Sequence, residues 1–386
     1  MTGTIRLTWI NHKYTKYIVI TMMKRITSTI SDVRGELFGF SIITIMLFHY
    51  FENVEAAGFG GAASVITKIY NLALGSSGVE IFLFLSGMGL FYSLSGDPRL
   101  SEFYRKRLTR ILPAYLVLGG AGWLILDILL RKTGWLRFLL DFSTLSFWTE
   151  GERMVWYISL ILILYLFFPL LYRMVAIPDR RLAGALTVVL TAAVMAGCLA
   201  LYGCSFAVYD RIEIALWRVV PFILGAWCGR KVRSGQGFSE EAVILCGMGF
   251  AGILLAAVTK WRSDFLWGVF SLRLGTLFYP FAVMFAVAAV LSKCGGSRFL
   301  RFVGSISLEL YLSHVIIRAI LNEVGMKHVI RSITCFVSPY LSRCPSRQTG
   351  CLHGGDSVQN AHPYRSKCNV RKRSVMWNPQ KCLSGI

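Results

Sequence analysis

The sequence predicts an all-α protein, a polytopic transmembrane helical bundle of about nine to ten spans. Three observations predict it. Hydrophobic residues fill 55% of the 386 positions and mean hydropathy is +0.57, more apolar than a soluble domain of this size. Apolar runs of about 17 to 25 residues recur, the length that crosses a bilayer core. Lys and Arg gather in the short connections between those runs. The net charge of +21 therefore reads as membrane topology, and no nucleic-acid partner is expected.

Nine spans follow in order, at roughly 35–52, 76–95, 111–130, 154–176, 183–203, 214–229, 241–258, 265–291 and 302–321. With the N-terminus in the cytoplasm, 20 Lys and Arg fall on inner segments and eight on outer ones. That bias holds loop by loop and sets the orientation: a multi-pass protein of the cell inner (plasma) membrane with a cytoplasmic N-terminus. Residues 1–33 form a basic cytoplasmic arm, 34–321 the transmembrane domain, and 322–386 a polar, basic, Cys-containing tail. The first thirty residues lack an apolar core followed by a small-residue cleavage site, so no cleavable signal peptide is expected. Met22 and Met23 stand just before the basic start of span one, where an alternative start would lie.

The tail breaks the pattern. After nine spans it would lie outside, yet 322–386 holds ten Lys or Arg and no apolar run long enough to span. The best tenth-helix candidate, 328–341, is short and carries Arg331 and Pro339. Two readings stand: a disordered basic tail, or sequence after about Arg331 that is not native, as from a shifted reading frame. Reading the coding DNA in all three frames distinguishes them.

Three basic residues lie inside spans: Arg218, Arg273 and Arg318. Each costs at least ~2.5 kcal/mol at a helix centre, so each calls for a partner or a wet cavity, or for snorkelling to an interface. Two histidines also lie in spans. His49 closes the run Ile-Ile-Thr-Ile-Met-Leu-Phe-His, and Arg34 lies fifteen positions earlier, ~22 Å down the same helix and close to the same face. His314 belongs to a polar stripe of Ser307, Tyr311, His314 and Arg318 at helical spacing. The alternative for each histidine is a plain hydrogen bond to a neighbouring helix. Glu36 and Glu80 sit at helix starts, where the dipole favours a carboxylate. Glu309 lies ~140° around its helix from His314 and points elsewhere.

A dense basic element, Phe-Tyr-Arg-Lys-Arg-Leu-Thr-Arg-Ile-Leu-Pro (103–113), follows the second span. It either holds its loop inside, or offers donors to the phosphates of an anionic ligand. Of ten cysteines, five lie in or beside spans and five in the tail, with no CxxC or Cys/His spacing, so no metal site is expected. Walker A, GxGxxG, GxSxG and HExxH motifs are absent, which removes most nucleotide, hydrolase and metalloprotease readings.

These residues resemble the acyltransferase 3 family of integral membrane O-acyltransferases over about residues 30–320. The resemblance rests on Gly-Val-Glu-Ile-Phe-Leu-Phe-Leu-Ser-Gly (78–87), the basic element 103–113, the basic-then-His first span, Trp156-Tyr157, and Gly304-Ser305-Ile306-Ser307 through Tyr311-Leu312-Ser313-His314. It implies about ten transmembrane helices and transfer of an acetyl or related acyl group from cytoplasmic acyl-CoA. The implied acceptor is a hydroxyl of a surface or exported polysaccharide or lipid-linked glycan. No permanently bound cofactor is implied, since acyl-CoA is the donor substrate. The family's first-span histidine maps to His49 and its arginine-rich element to Arg105, Arg107 and Arg110. Where the family usually places its first-span arginine this chain has Phe38, and Arg34, four residues earlier, is the nearest cation. The family's last helix is also missing.

From these residues the expected catalytic groups are His49, as base on the acceptor hydroxyl, with Arg273 or His314 at the oxyanion. Arg34, Arg105, Arg107 and Arg110 are the expected acyl-CoA-binding cations. Direct attack on the thioester is expected; a covalent acyl-histidine is the alternative. The competing functions are a glycan or lipid-linked sugar transporter, which intramembrane Arg and His would also suit, and an inactive, truncated enzyme.

Overall fold

The computed structural model describes residues 21–23, 27–56, 61–75, 77–97, 99–259 and 265–325. The tail after 325, the candidate tenth helix and most of the basic arm lie outside the described residues. The chain divides into two units, Met1–Leu341 and Ser342–Ile386, and all described residues belong to the first.

Among the described residues the elements are helices, with no strand. In chain order they are α1 (Arg34–Ala56), α2 (Ala62–Ala73), α3 (Ser77–Gly96) and α4 (Leu100–Leu130). Two short helices follow, α5 (Trp135–Phe142) and α6 (Leu145–Glu150), then α7 (Trp156–Val175) and α8 (Arg180–Cys204). The remainder are α9 (Phe206–Leu216), α10 (Val219–Arg233), α11 (Ser239–Thr259), α12 (Phe265–Lys293), α13 (Arg298–Ser305) and α14 (Ser307–Glu323).

Seven described helical segments are long and apolar enough to cross a membrane, with α9 and α10 counted as one. An eighth is the pair α13 and α14, bent by 68°. Seven or eight described segments meet both conditions, fewer than the nine expected. The odd one out is 241–258, which folds as the 21-residue helix α11 but is not among those segments.

A bilayer core offers the backbone no partner, so helix forms even through the β-branched run Ile42-Ile43-Thr44-Ile45. The polar side chains of α1 turn back on it: Ser41 Oγ donates to the Leu37 carbonyl at 2.8 Å and Thr44 Oγ1 to the Ser41 carbonyl at 2.8 Å. Pro113 removes a backbone donor in α4, and the helix widens to π geometry just beyond, over Tyr115–Gly119. Leu116 and Val117 in α4, Leu166, Phe167 and Leu170 in α7, and Val188 and Val189 in α8 are exposed, as side chains solvated by lipid tails would be.

Two helix crossings set the core. A Cβ on Gly225 of α10 would lie 2.0 Å from the Phe84 carbonyl oxygen of α3. One on Gly304 of α13 would lie 2.0 Å from the Gly35 carbonyl oxygen of α1. Only glycine permits such backbone approach, the small-residue packing of membrane helices.

Buried ion pairs tie these crossings together. Glu36 Oε1 accepts from Arg301 Nη2 at 2.6 Å, and Glu80 Oε1 lies 3.0 Å from Arg218 Nε. Both carboxylates are almost fully buried. Their placement at helix starts is as expected, but their partners are arginines of distant helices as well as the helix dipole.

Candidate active site

One face of α1 carries Arg34, Phe38, Ile42, Ile45 and His49 at steps of three or four residues. The same faces of three neighbouring helices meet it: Val79, Phe82, Ser86 and Gly89 of α3, Tyr157, Ile161 and Tyr165 of α7, and Ser307, Leu308 and Tyr311 of α14. Together they form a column running the length of α1.

At the Arg34 end the column opens into a cavity of about 170 Å³. Arg34, Arg107 and Arg110 line it. Among the described residues none of the three pairs with a carboxylate. The Nε atoms of Arg34 and Arg107 are buried without a hydrogen-bond partner. Aromatic faces hold these two guanidiniums: Arg34 lies 5.3 Å from the Phe38 ring centre and Arg107 5.7 Å from that of Phe103. Arg110 Nη2 donates to the Ser305 carbonyl at 3.4 Å, at the bend between α13 and α14. Gly89 leaves room for Arg34, since a Cβ there would lie 2.1 Å from Arg34 Nη2.

Arg105 lies elsewhere. It points away from the cavity and pairs with Glu102 at 2.8 Å, its side chain 71% exposed. Lys106, Arg99 and Asp97 continue that exposed cluster, where the Arg99 guanidinium holds the Asp97 carboxyl down to about 2.

Above the arginine cavity the column narrows to about 20 Å³, between Ile42, Ile45, Val79, Phe82, Leu308 and Tyr311. That is room for one water-sized group. Tyr157 lines both cavities and meets Tyr311 edge to face, with ring centres 5.3 Å apart. Tyr311 leads on to His314 at 5.7 Å, and His314 to His49 at 5.4 Å between ring centres.

The histidine end is a network of partnered charges. His49 Nδ1 lies 2.8 Å from Glu52 Oε2 and 2.5 Å from Arg318 Nη1. Arg318 Nη2 lies 3.0 Å from Glu52 Oε2, and Arg318 Nε donates to Asn53 Oδ1 at 3.3 Å. His314 Nδ1 is 2.8 Å from the Leu310 carbonyl oxygen. A carbonyl only accepts, so Nδ1 carries the His314 proton and Nε2 holds a lone pair. That Nε2 is buried with no hydrogen-bond partner. The arrangement suits a base or hydrogen-bond acceptor; donation to an oxyanion would require a second proton.

The sequence-predicted residues thus fall into four places. His49 and His314 come together, with Arg318 of the same polar stripe. Arg34, Arg107 and Arg110 come together at the other end of the column. Arg105 stands outside. Arg273 is also apart, in an ion pair with Glu213. Sequence reasoning missed Glu52, although its place three residues after His49 on one helix was a usable signal. It also missed Tyr165 and Ser86 in the cavity wall. Among the described residues no group of three or more His, Cys, Asp or Glu is placed to hold a metal ion.

Comparison with known proteins agrees with this architecture. No solved structure matches the chain. A stretch of 132 residues is 33% identical to acyltransferase MdmB of Streptomyces mycarofaciens, covering 28% of this chain and 32% of that relative's length. The acyltransferase 3 family model, described as an acyltransferase domain, matches residues 39–339. That match takes in the column beyond Arg34 and Phe38, and the chain belongs to the acyltransferase 3 family of membrane acyltransferases.

Proposed function

We propose that the protein is an O-acyltransferase of the inner membrane. It moves an acetyl or related acyl group from cytoplasmic acyl-CoA to a hydroxyl of a surface or exported polysaccharide. The observation that carries this reading is the cavity lined by three arginines, none of which has a carboxylate partner among the described residues. Arg34 and Arg107 are half-buried with their Nε atoms covered and unpartnered, and Arg110 is exposed beside them; CoA phosphates would supply acceptors and counter-charge to all three. The loop charge bias supports a cytoplasmic position for this end, with the N-terminus inside and α11 counted as a ninth span.

In this mechanism Arg34, Arg107 and Arg110 hold the CoA phosphates and the acyl end reaches up the column towards His49, which requires the narrow neck between Phe82 and Tyr311 to open. His49 takes the proton of the acceptor hydroxyl as its oxygen attacks the thioester carbonyl. The C–S bond breaks, CoA leaves as the thiolate, and the proton passes from His49 to that sulfur. The products are an O-acyl ester and free CoA. Tyr311 and His314 line the approach, and Arg273, paired with Glu213, has no step in it.

The test compares ester content of the host polysaccharide in cells making wild-type protein and His49→Ala at equal membrane level. Loss of O-acylation in the variant is expected, and undiminished O-acylation removes His49 from the mechanism. Release of CoA thiol from acetyl-CoA by purified protein, dependent on added polysaccharide, separates the transferase from a transporter.

A further inference from the structure

We propose that Glu52 decides which nitrogen of His49 carries its proton, and that Arg318 competes with it for the same atom. The proposal rests on the reading of His49 as the base. Nδ1 of His49 has an acceptor at 2.8 Å, Glu52 Oε2, and a donor at 2.5 Å, Arg318 Nη1. An imidazole nitrogen serves one or the other. With the proton on Nδ1, His49 donates to Glu52, and Nε2 keeps the lone pair that a base requires. With a lone pair on Nδ1, His49 accepts from Arg318, the proton moves to Nε2, and the neutral ring has no free lone pair to offer the acceptor.

The surrounding geometry favours Glu52. A carboxylate takes several hydrogen bonds, so Glu52 Oε2 accommodates both Nδ1–H and Arg318 Nη2, the latter at 3.0 Å. Arg318 has a further outlet, Nε on Asn53 Oδ1. The opposite arrangement would leave the Glu52 oxygen facing a lone pair at 2.8 Å. In the favoured one, Arg318 Nη1, 2.5 Å from Nδ1, must swing off that N–H, and its side chain is 30% exposed, so solvent takes it up. The charged and titratable groups facing His49 are Glu52 on its own helix and Arg318 and His314 on α14. His314 carries its proton on Nδ1 for a parallel reason, its bond to Leu310. Glu52 is therefore a positioning residue, and Arg318 both steadies it and threatens the tautomer it selects.

The competition gives a test with a change of sign. In Glu52→Ala, Arg318 wins Nδ1, and kcat with acetyl-CoA and the host polysaccharide falls about 10²- to 10³-fold, with KM for acetyl-CoA within about twofold. Glu52→Asp recovers most of the rate. In Glu52→Ala/Arg318→Ala nothing holds Nδ1 as an acceptor, and kcat rises at least about tenfold above Glu52→Ala. A double variant as slow as the single, or slower, reduces Glu52 to a structural pair with Arg318 and overturns the proposal. The second measurement needs no turnover. Nitrogen-15 NMR of histidine-labelled, detergent-solubilised full chain reads the tautomer, with the His49 signal assigned by its loss in His49→Gln. Nδ1–H in the wild type and Nε2–H in Glu52→Ala are expected; the same tautomer in both overturns the proposal. A tautomer change in a wild type that transfers no acyl group keeps the Glu52 switch and removes the transferase reading instead.

Discussion

The two ends of the column treat charge in opposite ways. At the arginine end, Arg34, Arg107 and Arg110 surround about 170 Å³ of space with no carboxylate among them. At the histidine end Arg318 is bound to Glu52 and Asn53, and His49 to Glu52. Elsewhere the spans follow the second pattern: Arg218 with Glu80, Arg273 with Glu213, Arg301 with Glu36. A membrane protein neutralises the cations it keeps for structure. Three without a carboxylate partner among the described residues are what the proposed donor site rests on. Under the proposed function the difference would separate two jobs, holding a charged donor at one end and moving a proton at the other.

The sharpest way to break this comparison is to exchange the kinetic signatures of its ends. His49→Ala should lower kcat about 10³-fold, the usual reach of a lost general base, with KM for acetyl-CoA nearly unchanged. Arg107→Ala should do the reverse. Loss of a charge-assisted hydrogen bond worth about 1.5–3 kcal/mol raises KM for acetyl-CoA roughly 10- to 100-fold, with kcat within about threefold. Steady-state release of CoA thiol measures both, and a kcat defect in Arg107→Ala would merge the two ends into one.

Smaller effects sharpen the picture. Gly89→Ala puts a methyl group where Arg34 Nη2 now lies, 2.1 Å from its ideal position. The clash is with the far end of a flexible side chain, so Arg34 withdraws and the fold survives. KM for acetyl-CoA should rise roughly three- to tenfold, a part of the charge-assisted contact, with thermal stability in detergent unchanged. Arg105→Ala, two residues from Arg107, should leave KM within about twofold, because exposed ion pairs contribute little. A KM effect as large as that of Arg107→Ala would bring the whole basic element into the donor site.

Much of this was legible in the sequence, for reasons that differ by residue. Span positions follow from apolar length alone, and the eight segments found match expected runs. His49 and His314 stood out because an imidazole in an apolar run is rare. The stripe Ser307, Tyr311, His314, Arg318 gave the inward face of α14 through its period. The 68° bend before that helix and the π widening of α4 have no such signature. Glu52 stayed hidden because an acid at the end of a span looks like an ordinary boundary. The basic element 103–113 could not be divided by charge count: Arg105 and Arg107 are alike in composition, but two positions on a helix are ~200° apart. Arg34 lies over the ring of Phe38 and lines the cavity, a placement that sequence spacing alone does not give.

The helices that complete the column are also the last described ones to be made. Glu36 meets Arg301, and Asn53 meets Arg318, each across 265 positions of chain. As synthesis runs from the N-terminus, α1 reaches the bilayer long before α13 and α14 exist. Through that interval Glu36 is without Arg301, and His49 and Glu52 have each other but not Arg318. A charge left in the apolar layer costs at least ~2.5 kcal/mol at its centre, so the young first helix needs a temporary shelter, in the insertion machinery or at the membrane edge. A product shortened before Arg301 would keep that acid orphaned, a visible target for membrane quality control. The same ion pairs that shape the column thus join the first described span to the last described helices.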